Sequence, residues 1–228
     1  MTVLVLASKS PARLATLRSA GIEPFVLVSD VDEDAVVVAA RAQHDGPGEL
    51  AAEDVALLLA NAKCEAVASV LAQDEVPAET PDAFIEDGGI ILGCDSVLEF
   101  DGAILGKPAD TADACARWQA MRGRSGTLHT GHWIVDDRVE GTGATFGAVS
   151  STIVHFADLD DAEIDAYVAT DEPLWVAGAF TIDGLAGAYV ERIEGDPHTV
   201  VGIGLPLLRE MFAEIGVEWH TLWNRPRG

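Results

Sequence analysis

Short apolar runs alternate with amphipathic segments in the first half of the chain, whereas strand-like runs predominate in the second half. Apolar or β-rich runs predict strands, and apolar residues at helical spacing predict helices. The predicted strands are 2–7, 25–29, 90–95, 97–100, 127–135, 148–156 and 188–193. The predicted helices are 12–20, 50–72, 111–121, 160–168 and a C-terminal helix that ends at Glu214. This order predicts an α/β fold with a mixed sheet and helices packed around it.

Four stretches rich in glycine, proline or carboxylates interrupt this pattern. Residues 41–49 and 195–198 predict turns, and the acidic residues 73–88, with two prolines, predict a mobile surface loop rather than a domain boundary. The stretch 30–34 carries four carboxylates in five residues at a predicted strand end. Such a cluster is usually a solvated loop, but its oxygen atoms could also hold a hard cation such as Mg²⁺.

Candidate chemistry follows the apolar run that begins at Ile90 and ends on Asp95. A carboxylate at the C-terminal end of a buried strand lies where open α/β sheets bind their ligands. A second short strand turns at Asp101-Gly102, a common hairpin sequence, and the chain returns to Lys107 between a glycine and a proline. A carboxylate and an ammonium a hairpin apart suit a phosphorylated substrate and a divalent cation. A structural strand capped by a surface turn is the alternative.

The first predicted helix has a clear start signal. Ser10 provides an N-cap, Pro11 takes the first helical position, and Gly21 lies past the end. A strand, a loop containing Ser8 and a helix N-terminus together form an anion site, because free N–H groups and the helix dipole point towards it. Arg13 in the first turn opposes the dipole, which supports a ligand role. An ordinary surface arginine is the alternative.

Composition narrows the class of partner and the compartment. The 228 residues suffice for one large domain or two small ones, and 49% of them are hydrophobic. The net charge of −24 argues against a nucleic-acid partner, because phosphate backbones require a basic surface. No apolar run reaches about 18 residues, so we expect no membrane span. The N-terminus lacks a basic region, and the three scattered cysteines form no CxxC pair, which predicts a cytoplasmic protein without a zinc site.

Common motifs are missing from the sequence. It contains no GxxxxGK[ST] loop, no GxGxxG opening a helix after a strand and no GxSxG elbow. The six histidines lack metal-ligand spacing. The three lysines, Lys9, Lys63 and Lys107, lie in the first loop, in the long helix and after the central hairpin, although chance could place them so.

An ordered set of short segments resembles one known family. Residues 8–13, Ser-Lys-Ser-Pro-Ala-Arg, are similar to the SxSPRR signature of the Maf family. Further similar segments follow in family order: 29–33, 60–67, 93–97, 106–108, 123–125, Thr152, 172–173, 177–180, 196–197, 200–202 and 205–206. Each segment alone is a weak signal, but together they span nearly the whole chain.

The resemblance implies a cytoplasmic nucleoside triphosphate pyrophosphatase, which cleaves between the α- and β-phosphates to release a monophosphate and pyrophosphate. It implies a single domain over residues 1–228, in which a long twisted mixed sheet and flanking helices form two lobes around a central cleft. Members of the family need a divalent cation, here Mg²⁺ or Mn²⁺, often occur as homodimers, and have been linked to septum formation.

The resemblance also implies roles for individual residues. The catalytic carboxylate corresponds to Asp95, our expected general base, and the second acidic position to Glu33. Both are candidate metal ligands, and Asp32 is a weaker one. The phosphate-contacting positions correspond to Ser8, Arg13, Lys63 and Lys107. Water can attack phosphorus only when the negative charges of the phosphates are neutralised, and these positions would provide that neutralisation.

Departures from the family pattern concern the nucleobase. Ala12 replaces the first arginine of the signature, Ser96 stands where many members have threonine, and Asp183 replaces glutamine. Trp175-Val176 also replaces an Asp-Lys pair. Positions 12, 96 and 183 separate pyrimidine-nucleotide enzymes from those acting on a methylated guanine nucleotide, and this chain matches neither subgroup.

Two other hypotheses predict no turnover. One is a catalytically silent nucleotide-binding regulator of septum formation. The other, from composition alone, is an acidic interaction protein. Asp95 and the three lysines favour the enzyme, because binding alone would not require the carboxylate.

Overall fold

A computed structural model describes residues 2–44, 49–73 and 76–224, and its framework is one mixed sheet. The strands are β1 (Val3–Ala7), β2 (Phe25–Val26), β3 (Gly89–Phe100), β4 (Ala103–Leu105), β5 (Ser125–Asp136), β6 (Thr145–Phe156) and β7 (Val190–Glu194). Their order is β2-β1-β3-β5-β6-β7, with β4 paired to β3. β1 runs parallel to β2 and β3, and the other pairs are antiparallel. The predicted mixed α/β fold is therefore confirmed.

Helices cover this sheet. They are α1 (Pro11–Ser19), α2 (Glu33–Gln43), α3 (Ala52–Leu71), α4 (Asp82–Asp87), α5 (Thr111–Met121), α6 (Asp161–Val168), α7 (Pro197–Val201) and α8 (Leu205–Glu214). Short 3-10 turns follow at 172–175, 177–179, 185–189 and 219–222. Within the described ranges, none of the helices combines the length and the apolar character needed to cross a bilayer.

The central strand differs from the prediction. β3 is one strand of twelve residues, so Asp95 lies inside a strand rather than at its end, and 97–100 is not a separate strand. β5 pairs with β3 at every position from Ile90 to Glu99, which keeps the chain extended past the carboxylate. The parallel pairing with β1 stops at Gly93, however. Asp95 therefore lies just beyond the carboxyl end of β1, where the parallel part of the sheet gives way to the antiparallel part.

Three predicted loops contain helices. The stretch 30–34 runs into α2, because Asp32 caps that helix by accepting the Ala35 N–H at 3.0 Å. The surface loop predicted at 73–88 contains α4, whose Phe84 is buried against the first strands. The turn at 195–198 begins α7. Part of the predicted turn at 41–49 lies in α2, and residues 45–48 and 74–75 lie outside the described residues.

Glycines on the sheet let α3 approach closely. A Cβ at Gly93 would lie 2.2 Å from the Ala60 carbonyl oxygen, and one at Gly131 would lie 2.4 Å from that of Ala56. Real Cβ atoms do not approach a carbonyl oxygen so closely, so only glycine allows this packing. Gly131 is the ladder partner of Asp95. The glycines therefore bring α3, with Lys63, down onto the strand that carries Asp95.

Two hydrophobic clusters include residues of β3, one before Asp95 and one after it. Leu98 and Phe100 belong to a cluster built around Trp118. Ile90 and Leu92 belong to another that contains Phe212. Asp95 thus lies between two separately packed regions. This arrangement supports the two-lobed domain, which stays a prediction.

A buried carboxylate stabilises the hairpin between β5 and β6. The Asp136 side chain is fully buried and accepts hydrogen bonds from Arg138 Nε at 2.7 Å and from the Thr142 N–H and hydroxyl at 2.7 and 2.8 Å. Arg138 also donates to the Ile215 carbonyl at 2.9 Å, which ties the hairpin to the end of α8. Burial alone would raise the pKa of Asp136, but these hydrogen bonds hold that pKa well below its ordinary value.

We expect Asp136→Asn to lower the free energy of unfolding by about 2–4 kcal/mol at pH 7, because it removes the charge that Arg138 needs. A carboxyl group with a depressed native pKa contributes its full stability above its unfolded pKa of about 4 and loses it as pH falls towards the native pKa. The deficit should therefore shrink below about pH 4. Urea unfolding at pH 7, 5 and 3.5 measures it, with the exposed Asp158→Asn as control. A pH-independent deficit would contradict the assignment.

Candidate active site

Lys63 joins the two predicted acidic residues. Its ammonium donates to Glu33 Oε1 at 2.8 Å and also to Asp95 Oδ1. The Lys63 and Asp95 side chains are each 11% exposed, and that of Glu33 is 38% exposed. The three residues come from α3, α2 and β3, so the fold assembles the cluster from distant parts of the sequence.

The cluster lies in a positive field. Burial alone would raise the pKa of Glu33, but the hydrogen bond from Lys63 and the charges of Lys63, Lys107 and Arg13 outweigh it, and the pKa is lowered. Glu33 therefore stays ionised at neutral pH. The same interactions show that all three cations lie within electrostatic range of this carboxylate.

The loop after β1 and the start of α1 have the arrangement from which the sequence predicted an anion site, which stays a prediction. Ser10 caps α1 by accepting the Arg13 N–H at 3.4 Å, and the Ser8 hydroxyl accepts the Ser10 N–H at 3.2 Å. The buried Arg13 guanidinium donates to the Gly202 carbonyl at 2.8 Å, to Ser8 Oγ at 3.2 Å and to Ser96 Oγ at 3.1 Å. Arg13 is therefore oriented by three elements, and it is not an ordinary surface arginine.

Lys107 is exposed, but its backbone is fixed. Arg117 donates to the Gly106 carbonyl at 2.7 Å and to the Lys107 carbonyl at 3.4 Å, while its own orientation is set by Asp113. The Gly178 N–H also donates to the Gly106 carbonyl, at 3.0 Å. The backbone of this loop is thus held in place, while the Lys107 side chain is exposed.

The three positions that we associate with the nucleobase are not all together. Ala12 is half-buried beside Arg13, and Ser96 bonds directly to Arg13. Asp183 is exposed and accepts a hydrogen bond from the Thr181 hydroxyl. Among the described residues, no hydrogen bond joins Asp183 to the Arg13 group.

Sequence reasoning missed Glu172 as an anchor for the segment that carries Asp183. Its carboxylate accepts the Tyr167 hydroxyl and the Leu185 N–H, each at 3.0 Å. A Cβ at Gly184 would lie 2.6 Å from that carboxylate, so a larger residue there would displace the Glu172 side chain. The signal available was the Glu172-Pro173 pair, which matched the family without indicating this role.

His132 was also missed. It is completely buried, and its Nε2 accepts the Gly204 N–H at 2.9 Å. Burial, helped by the charge of Arg13, lowers the pKa of His132 to about 4. The imidazole is therefore neutral at pH 7 and fixes the start of α8 beside the Arg13 group.

The residues present fit a divalent cation only in part. Among the described residues, no group of three or more His, Cys, Asp or Glu side chains forms a metal site. Glu33 and Asp95 do converge on one ammonium, however. Mg²⁺ is commonly held by one or two carboxylates together with substrate phosphates, and this pair meets that requirement. Asp32, the weaker candidate, already uses one carboxylate oxygen to cap α2.

Fold and site together define an α/β protein with a cluster of paired carboxylates and cations where the parallel and antiparallel parts of its sheet meet. The chain belongs to the Maf-like protein family, whose model matches residues 3–215. It is 50% identical to a protein of Leifsonia xyli subsp. xyli over 97% of each chain, and 54% identical to one of Salinispora tropica over 97% of this chain and 88% of that one. A Rhodococcus jostii protein is 51% identical over 98% and 97%. Each of these relatives is named nucleoside triphosphate pyrophosphatase.

Proposed function

We propose that this protein hydrolyses a nucleoside triphosphate between its α- and β-phosphates and releases a monophosphate and pyrophosphate. The observation that carries the proposal is the buried ammonium of Lys63 between Asp95 and Glu33, beside the anion site at α1. Relatives about half identical over nearly the whole chain, all named for this activity, support it.

The cations surround the expected position of the phosphates. The ammonium of Lys63 has three N–H donors, and two of them go to Glu33 and Asp95, which leaves one for a phosphate oxygen. Arg13 and Lys107 add positive charge. The start of α1 adds the positive end of a helix dipole, although the N–H groups of Ser10 and Arg13 already have partners and Pro11 has none. Charge that develops on the phosphates during attack is stabilised by such preorganised donors.

Asp95 is the proposed general base. Its carboxylate is mostly enclosed and held by Lys63, so it is oriented before the substrate arrives. Its role is to accept a proton from the attacking water. Glu33 and Asp95 would also hold the divalent cation, Mg²⁺ or Mn²⁺, which when bound neutralises phosphate charge and activates water.

Metal-dependent turnover separates this proposal from the silent regulator of septum formation. Nucleotides are incubated with the protein and Mg²⁺ or Mn²⁺, and released pyrophosphate is measured with and without a chelator. We expect pyrophosphate that disappears when the metal is removed. Nucleotide binding without any turnover would favour the regulator, and a protein that binds no nucleotide would favour an acidic interaction protein.

We expect weaker selectivity for uracil and thymine nucleotides than in relatives with glutamine at position 183. Glutamine offers a donor and an acceptor to a base edge, whereas ionised Asp183 offers acceptors only, which suit the amino groups of cytosine or guanine. Ala12 leaves room near Arg13 for a larger base or a water. An unpaired polar group costs about 1–3 kcal/mol, so Asp183→Gln should shift kcat/KM ratios about tenfold towards dTTP and UTP.

The nucleobase test compares dTTP, UTP, CTP and GTP for the native chain, Asp183→Gln and the control Glu191→Gln, which changes another exposed carboxylate. A strong native preference for dTTP and UTP that neither substitution alters would show that Asp183 does not read the base.

The remaining predictions concern the whole molecule. We infer a single two-lobed domain that acts in the cytoplasm on a nucleotide, with no nucleic-acid or membrane partner, and a homodimer in solution. Sedimentation measures the oligomeric state.

A further inference from the structure

Thr130 lies at the centre of the contacts that orient Arg13. It is on β5, directly opposite Ser96 in the ladder with β3, and its side chain is completely buried. Its hydroxyl lies 2.8 Å from Ser96 Oγ and 2.8 Å from the Thr199 carbonyl oxygen. Ser96 Oγ in turn accepts from the Arg13 guanidinium at 3.1 Å.

The direction of this chain of hydrogen bonds follows from counting protons. A carbonyl oxygen only accepts, so the single hydroxyl proton of Thr130 goes to Thr199. The Thr130 oxygen must then accept from Ser96, whose own proton is thereby used. The Ser96 oxygen keeps its acceptor capacity for Arg13. The order Arg13 to Ser96 to Thr130 to Thr199 is therefore unique, and each hydroxyl is used as both donor and acceptor.

We propose that Thr130 is a positioning residue for phosphate binding, which acts through Ser96 to hold the Arg13 guanidinium. This inference rests on the proposed function for its kinetic readout. Besides Ser96 and Ser8, Arg13 bonds to the Gly202 carbonyl, just beyond α7, and Thr199 belongs to α7 itself. The direct bond to Gly202 and the chain of bonds through Ser96 and Thr130 therefore both connect Arg13 to α7. Thr130 is the residue of the sheet that completes the second connection.

The chain of bonds also assigns Ser96. Because its proton is directed to Thr130 and one lone pair to Arg13, the hydroxyl keeps one acceptor site and no donor for a nucleobase. Ser96 therefore acts on the phosphates through Arg13, and Ala12 and Asp183 are left as the candidates for base recognition.

A double-mutant cycle tests the proposal. Thr130→Val keeps the shape and removes both hydrogen bonds, and it should lower kcat/KM about tenfold, since two buried neutral hydrogen bonds that hold Ser96 against Arg13 are lost. In an Arg13→Ala background the same change should cost about twofold or less, because there is no guanidinium to orient. Thr130→Ser should restore most of the loss. Thr16→Val is the control, because it removes a hydroxyl on α1 that bonds only to the Ala12 carbonyl.

Equal losses from Thr130→Val in both backgrounds would overturn the proposal, since they would show a general structural effect. If that variant does not fold, Ser96→Ala breaks the same chain and must show the same dependence on Arg13. Binding of a non-hydrolysable α,β-methylene triphosphate, measured by calorimetry for the same variants, gives an independent readout. It keeps the inference testable even if the native chain proves to have no turnover.

Discussion

Lys63→Met is expected to lower kcat/KM by about a hundredfold or more. The substitution removes a donor to a phosphate oxygen and leaves Glu33 and Asp95 without the ammonium that separates them. Hydrogen bonds to charged groups contribute about 1.5–3 kcal/mol each, and two such bonds are lost before any phosphate contact is counted. Lys63 is enclosed, so neither water nor salt replaces it fully.

The pH profile gives a second signature of this variant. The pKa of Glu33 is lowered in part by Lys63, so without the lysine that pKa should rise. The acidic limb of the rate profile should then move to higher pH. Arg209→Met, which changes an exposed cation on α8, is the control. Near-native kcat/KM with an unchanged profile would show that Lys63 is not part of the machinery.

Asp95→Asn is expected to lower kcat by about a hundredfold or more, while nucleotide binding is largely kept. Asparagine preserves the size of the side chain but cannot accept a proton from water. Asp101→Asn is the matched control, since Asp101 lies at the end of the same strand and asparagine also tolerates its φ of 51°. A variant at position 95 with near-native kcat would remove Asp95 as the base.

The parts of the fold that local sequence determines could be predicted. The cap at Ser10 with Pro11 begins α1 at the expected residue. The helices 111–121 and 161–168 agree with the predicted 111–121 and 160–168 to within one residue, and Asp110 and Asp160 cap their starts. The hairpin turn at Asp101-Gly102 adopts the positive φ angles that such a pair favours.

The parts that tertiary contacts determine could not. α2 looked like an acidic loop because carboxylates dominate its start, but it packs valines against α3. α4 follows from the burial of Phe84 under the first strands. The extension of β3 past Asp95 depends on β5, which lies 28 to 34 residues further along the chain. A short stretch of sequence does not reveal any of these packing partners.

Some residues of the candidate site could likewise be predicted from the sequence, and others could not. Asp95, Glu33 and Lys63 were expected to act together, and the structure does bring them into contact. That expectation depended on the family resemblance, since no spacing in the chain relates residues so far apart. Thr130 gave no signal at all, because threonine inside a strand is ordinary and its importance comes from its opposite neighbour.

Phosphorus-31 NMR of a complete reaction shows which phosphoanhydride bond the protein breaks. A nucleoside triphosphate, Mg²⁺ and the native protein are followed in one tube, so that every phosphorus-containing product is identified and counted. We expect equal amounts of monophosphate and pyrophosphate, no diphosphate at any time, and no products with Asp95→Asn over the same period. Diphosphate with orthophosphate as the products would contradict this expectation, because the bond broken would then be the one between the β- and γ-phosphates.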